Sequence, residues 1–444
     1  KVDATGPQAT VTPDVAVKER YDAASQSLTL TLTQMQKPTP GQKSKQPLHL
    51  PLRVAFLSPS GTEMPVAFFG ETPWNAPRER VLHLTQKAQS FRFVGLAERP
   101  IVSINRGFTA PIVLKDQATP KTRAFQMGRD SDLFNRWEAA QASAGENILK
   151  MAAAAKAGRK AKPDPLFVGA AGELIADAHR DRAFTALALT LPTTSEMITL
   201  TREADPDALH AARTELITAI ARAHRHSLED LYAALDTNEP YAPDAEQSGR
   251  RALRNTVLRY LCIEGGADAA SRAYRHFARA QNMTDLAASL GVLVDVDAPE
   301  REAALAAFHD RFQDNPLVVD KWMTVQALST RDDTLERIET LTQHRSFDWA
   351  NPNRVRALVH AFALSNPVIF NRADGAGHAF AADAVLKLDG INPQVAARLA
   401  GAFEGWRRLD KRRQTSMKRA LTRIADTKGL SRNVYELATK SLGR

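Results

Sequence analysis

The chain holds a single cysteine, Cys262, in 444 residues. One thiol excludes a disulfide framework and any cluster of thiolates around a metal, and it points to a reducing, cytoplasmic compartment. No apolar run approaches the roughly 20 residues that span a bilayer. The N-terminus lacks the charged, apolar and small-residue regions of a signal peptide. Lys1 is not a natural start residue, so the chain is expected to be processed or cut from something longer.

Hydrolytic motifs are also missing. None of the 11 histidines is followed by glutamate, so there is no His-Glu-x-x-His pair that could bring two imidazoles to one metal from a single helix face. His224 and His226 stand two apart and point to different sides of a helix, which makes a poor ligand pair. Asp374-Gly375-Ala376-Gly377-His378 lacks the third glycine of a phosphate loop and reads as a turn before a helix from Phe380 to Leu388. Ser365, His360 and Asp374 could be drawn as a triad, but no Gly-x-Ser-x-Gly elbow accompanies them. Cys262 lies in an apolar helix stripe, where core packing is the plainer reading. No catalytic residue and no cofactor or metal site is therefore expected in this chain.

Of the residues present, 43% are hydrophobic and 25% charged, as in a soluble globular protein. At this length two domains, or one domain and a solenoid, are expected. The net charge is +9, and its densest block is Arg407 to Lys428, where nine Lys and Arg face only Asp410 and Asp426. With Trp406 the only aromatic beside it, the block reads as a solvated helix face, with neither nucleic acid nor membrane as partner. A nucleic-acid patch is the competing reading.

Residues 1–118 read as β. Ser27 to Thr33 alternates strictly between Leu and Ser or Thr, the period of a half-buried strand. Further runs lie at His49 to Leu57, Met64 to Phe69, Arg80 to Thr85, Ser90 to Gly95 and Ile101 to Leu114, with turn signals at Pro38 to Gly41, Ser58 to Gly61 and Gly70 to Pro77. Six or seven short strands so spaced predict a small antiparallel sandwich of immunoglobulin-like type.

From residue 119 to 444 the apolar period is helical throughout. Ser131-Asp132-Leu133 and Asp205-Pro206 open helices, while Gly158 to Pro165 and Asn238 to Asp244 read as connections. Four Asn-Pro steps, at Asn315, Asn351, Asn366 and Asn392, add starts: Asn accepts from the free N–H groups of a first turn, and Pro at the first helical position has no N–H to leave unpaired. Short helices joined by brief loops predict an all-α superhelical solenoid of armadillo or HEAT type.

Two of those steps carry the polar residues of most interest. Asn353, Arg354 and Arg356 follow one; Gln394 and Arg398 follow another at i and i+4, so an amide and a guanidinium share a helix face and can reach one carboxylate or peptide group. Spacing alone leaves two readings open, a ligand site or ties between adjacent helices.

Several blocks resemble the aminopeptidase N family of bacteria. They are Lys45 to Pro51, Phe134 to Gln141, Ala280 to Asp285, Val319 to Trp322, Gln343 to Phe347, Asn351 to Arg356 and Asn392 to Leu399, in the family's order along essentially the whole chain. The resemblance is to the C-terminal half only. It implies that this chain is the non-catalytic portion of a zinc metallo-aminopeptidase that removes N-terminal amino acids from peptides, with zinc held by a catalytic domain outside it. It further implies that this portion caps the active site, controls peptide access and lines the substrate channel through Gln394, Arg398 and Arg356. Its partners would be the catalytic and N-terminal domains of the same enzyme, and peptide substrates. A stand-alone helical-repeat module that binds a peptide or an acidic protein is the alternative.

Overall fold

The computed structural model describes residues 12–39, 42, 44–237 and 239–443. Pro40 and Gly41 of one turn signal, and Asn238 of one connection, lie outside the described residues. The chain forms two compact units, residues 1–143 with 165–174, and residues 144–164 with 175–444.

In the first unit the strands are β1 (Asp14–Asp22), β2 (Ser27–Met35), β3 (Leu50–Leu57), β4 (Glu63–Met64), β5 (Ala67–Phe68), β6 (Glu79–Leu84), β7 (Ala88–Val94), β8 (Ile101–Ile104) and β9 (Val113–Lys115). One sheet has the order β5-β7-β2-β1-β9; in the other, β3 pairs with β4, β6 and β8. All pairings are antiparallel except β1 with β9. Leu28, Leu30 and Leu32 of β2 face Leu52, Val54 and Phe56 of β3 across a core completed by Leu82 and Phe93. Thr29, Thr31 and Thr33 take the wetter face, as alternation requires.

Three features depart from the sequence reading, the first being the run from Met64 to Phe69, which is two strands, β4 and β5, in different sheets. Strand β1 is not among the runs read above, because Lys18, Glu19 and Arg20 break the apolar pattern after Val15 and Val17. The run from Ile101 to Leu114 is two strands separated by a turn at Asn105 to Phe108, where Asn105 and Phe108 have φ of 60° and 53°. Asn105 stabilises that conformation by accepting from the Ala110 amide at 2.9 Å and donating to the Ala110 carbonyl at 3.0 Å.

The same unit includes the helix Pro120–Arg129 and the first turns of the helix Leu133–Lys156. Gln126 donates to the Val102 carbonyl at 3.0 Å, and the buried Asn135 amide donates to Ser103 Oγ at 2.7 Å and the Ile104 carbonyl at 3.1 Å. Arg106, 3% exposed, meets Glu63 at 2.9 Å and Glu79 at 2.8 Å.

The second unit is a helical repeat. All four Asn-Pro steps cap helices in the expected manner: Asn315 accepts from Leu317, Asn351 from Asn353 and Arg354, Asn366 from Ile369, and Asn392 from Val395. Each such cap contributes about 1 kcal/mol. The Asp205-Pro206 helix runs Pro206–Ala223 and is interrupted at His224, with Arg225–Ala234 following as a separate helix. The helix placed at Phe380 starts earlier, at Ala376, because Gly375 adopts a left-handed φ of 79° that turns the chain directly into it.

An open solenoid touches only sequence neighbours; this one also closes on itself. The Ala204 amide donates to the Arg408 carbonyl at 2.7 Å and the Asp410 amide to the Ala204 carbonyl at 2.9 Å. Arg408 reaches the Thr199 carbonyl at 2.8 Å, and buried Arg413 pairs with Asp205, Asp207 and Asp410. Much of the basic block is thus engaged internally. Arg407 donates to the Ser441 carbonyl at 2.7 Å and Arg423 to Asp383 at 2.6 Å, while Arg412, Lys418, Arg419 and Lys428 remain exposed.

Candidate functional site

Asn392 accepts from the Val395 amide at 3.2 Å and so starts the helix Pro393–Ala400. Ala396, Leu399 and Ala400 are buried, which leaves Gln394 and Arg398 on the exposed face together. Neither side chain forms a hydrogen bond or ion pair with another described residue. They do not act as inter-helix ties.

Arg356 belongs to the helix that Asn351 caps. From Arg356 to His360 that helix takes a π-helical turn, a local widening that recurs at functional sites. Val355, Ala357, Leu358 and Val359 are buried and Arg356 is exposed, with one donor on Asn353 Oδ1 at 3.1 Å. Its neighbour Arg354 has a different role: it donates to the Pro316 carbonyl at 2.7 Å and pairs with Asp320, tying two helices together.

His360 links the two helices electrostatically. It is 7% exposed, and its Nε2 is buried with no hydrogen-bond partner. Burial pushes its pKa below the ordinary value, the Val395 backbone opposes this, and the charges of Arg356 and Arg398 add to the depression. One imidazole thus feels both guanidiniums. With burial, the charges of Arg356 and Arg398 both act on His360 to favour its neutral form. Such an arrangement favours an oxygen acceptor, a peptide carbonyl or a carboxylate, over a cation. Sequence reading set His360 aside as isolated, although its position four residues after Arg356 was the available signal.

The remaining candidates do not assemble. Asp374 is held by Arg372 at 2.9 Å and His360 Nε2 is unpaired, so Ser365, His360 and Asp374 form no triad. His226 faces Asp230 at 3.4 Å on the surface. His378 is a core histidine, with Nδ1 3.0 Å from Ser416 Oγ and Nε2 3.1 Å from Asn371 Oδ1. Cys262 is buried, and its thiol is pushed up to about 11. Among the described residues no group of three or more His, Cys, Asp or Glu stands ready to hold a metal ion. Nor, among them, is any helix long and apolar enough to cross a membrane.

Family models match nearly the whole length. Residues 11–117 match a domain of unknown function described as DUF3458 with an Ig-like fold, and residues 120–443 match DUF3458_C, described as ARM repeats. The chain belongs to the DUF3458 family. Relatives of this DUF3458 chain include proteins named aminopeptidase N from Caulobacter vibrioides, 41% identical, and from Escherichia coli, 34% identical. Each match covers 97% of this chain, and 48% and 49% of those proteins respectively, so the chain spans about half the length of the curated relatives it matches. Among solved structures, Legionella pneumophila aminopeptidase A in complex with aspartic acid superposes with a TM-score of 0.82 at 26% identity, over 97% of this chain and 49% of that one. A β-sandwich of Ig-like type followed by a helical-repeat domain is therefore the architecture of the DUF3458 chain and of its matched relatives.

Proposed function

We propose that this chain is the non-catalytic portion of a zinc aminopeptidase, the part that caps the active site, limits entry to peptides and lines their path. One observation carries the reading: proteins named aminopeptidase match 97% of this chain with about half of their own length. Metal, activated water and general base belong in this reading to a segment outside the chain. Exposed Gln394 and Arg398 contribute unengaged donors and exposed Arg356 those not spent on Asn353, with buried His360 sensing the charge of both arginines. They would orient a peptide by its carbonyl groups or carboxylate and would leave bond cleavage to the other half. The Ig-like part at 1–118 and the helical part at 119–444 act as scaffold for that surface, in a cytoplasmic setting that suits one buried thiol.

The reading frame upstream of Lys1 tests this directly, and an in-frame His-Glu-x-x-His is expected there. The purified chain alone should release no amino acid from an aminoacyl reporter. Chelator-sensitive turnover by the chain alone overturns the proposal, as does a start codon near Lys1 with no zinc motif before it.

A further inference from the structure

The helical unit contains a cavity of about 500 Å³ that none of Arg356, Gln394 or Arg398 lines. That volume is in the range of small-molecule sites. One wall is cationic. Arg259, in the last turn of the helix Ala245–Cys262, lines the cavity and makes no hydrogen bond or ion pair with any described residue. Arg213, on the helix Pro206–Ala223, also lines it; its Nε donates to the Pro192 carbonyl at 2.8 Å and its Nη2 to the Leu191 carbonyl at 3.4 Å, which leaves Nη1 uncommitted.

Among the described residues no carboxylate forms an ion pair with Arg213 or Arg259, although the charge of Glu196 reaches Arg213 and Asp295 lies on the lining. Glu196, the acid whose charge reaches Arg213, is committed to the cap at Thr193, where it accepts from the amide at 2.6 Å. Asp295, on the lining, accepts from Ser329 Oγ at 2.9 Å and the Thr330 amide at 2.7 Å. Desolvation lowers the Arg213 pKa and the charge of Arg259 adds to it, while Arg259 itself is exposed and Arg213 half-buried. The lining also contains apolar side chains, Leu191, Ile217, Val292 and Leu328, among threonines and serines.

We propose that this cavity binds a small organic carboxylate with an apolar substituent, the carboxylate held by Arg259 and the free Nη1 of Arg213 and the substituent packed on the leucine, isoleucine and valine wall. Arg259, exposed on the cavity wall without an ion pair, and the free Nη1 of half-buried Arg213 can each donate to an oxyanion, and the planar fork of a guanidinium matches carboxylate geometry. The apolar wall favours an amphipathic carboxylate over phosphate, which has no surface to place there. The inference concerns side chains that the proposed function does not use, so either can fail alone.

Calorimetric titration of the full chain with N-acetyl-leucine, N-acetyl-leucinamide and inorganic phosphate tests it. N-acetyl-leucine is expected to bind at one site per chain, with the amide and phosphate each at least about tenfold weaker, a difference of ~1.4 kcal/mol. Arg259→Gln should weaken N-acetyl-leucine by a similar factor without moving the thermal midpoint, since Arg259 ties no element to another. Arg259→Lys, which keeps the charge but loses the fork, should fall between. Absence of binding up to the solubility limit, equal binding of acid and amide, equal or tighter binding of phosphate, or unchanged affinity in Arg259→Gln each overturns the proposal.

Discussion

Arg413 Nη1 lies 3.3 Å from Asp205 Oδ1 across 208 residues of sequence, and the same guanidinium also meets Asp207 and Asp410. Asp205 is at the same time the N-cap of the helix Pro206–Ala223, accepting from the Asp207 and Ala208 amides. One buried cation therefore closes the helical unit and stabilises a helix start. Arg413→Ala should destabilise the chain by about 1.5–3 kcal/mol, because it removes charge-assisted hydrogen bonds from a buried guanidinium to carboxylates that stay partly in water. Arg413→Lys should recover only part, since a point charge cannot serve three partners arranged around a planar fork. Chemical denaturation of the two variants measures this; a loss below about 1 kcal/mol in the alanine variant would show that the closure contributes little.

Asn392→Ala removes the acceptor for the Val395 amide and should cost about 1 kcal/mol, while Asn392→Ser should cost less because serine is itself a good N-cap. Amide hydrogen exchange at Val395 would report the same event locally, with faster exchange in the alanine variant only. Equal exchange in all three proteins would mean that Pro393 and the buried Ala396 and Leu399 hold the turn without the cap.

Acid should weaken the chain through His378. Its pKa is lowered from an ordinary 6.5 to about 4, first by burial and then by the charge of Arg413. The folded state therefore resists a proton that the unfolded chain accepts. The stability that His378 contributes is complete above pH 6.5 and is lost as pH falls from there to about 4, with a slope of up to ~1.4 kcal/mol per pH unit. His378→Gln should lower stability at neutral pH yet flatten that slope. Parallel pH profiles of wild type and variant would refute the assignment.

Gln394→Ala with Arg398→Ala should leave the thermal midpoint almost unchanged, within about 0.5 kcal/mol, because both side chains are exposed and unengaged. In the longer protein that the proposed function requires, the pair should reduce kcat/KM for peptides by about tenfold or more, the worth of one or two hydrogen bonds to a charged donor. Normal peptide kinetics together with a loss of stability would assign both residues to the scaffold.

The local physics of this chain was open to direct reading. Alternating Leu and Thr from Ser27 to Thr33 specify a strand with one wet face, and an Asn followed by Pro specifies a helix start, because the period of the side chains and the capping bond act within a few residues. The exposed pair Gln394 and Arg398 followed from helical spacing in the same way. Where neighbouring charges masked the period, as at Lys18 to Arg20 in β1, the reading failed.

What joins distant segments could not be read so. Nothing near Arg413 in sequence distinguishes it from Arg412, yet one is buried among three carboxylates and the other lies in solvent. His360 and Arg398 are separated by two further helices and two Asn-Pro steps, and only packing brings the charge of one to the ring of the other. The unpaired Arg259 is equally silent in sequence, because an arginine lacking a carboxylate is defined by what the fold fails to place beside it. Sequence determined the elements and their exposed faces through short-range sterics and capping. Tertiary structure decided which charges are neutralised, which are left to a ligand, and that the helical repeat closes on itself, since burial and Coulomb energy depend on distance in space.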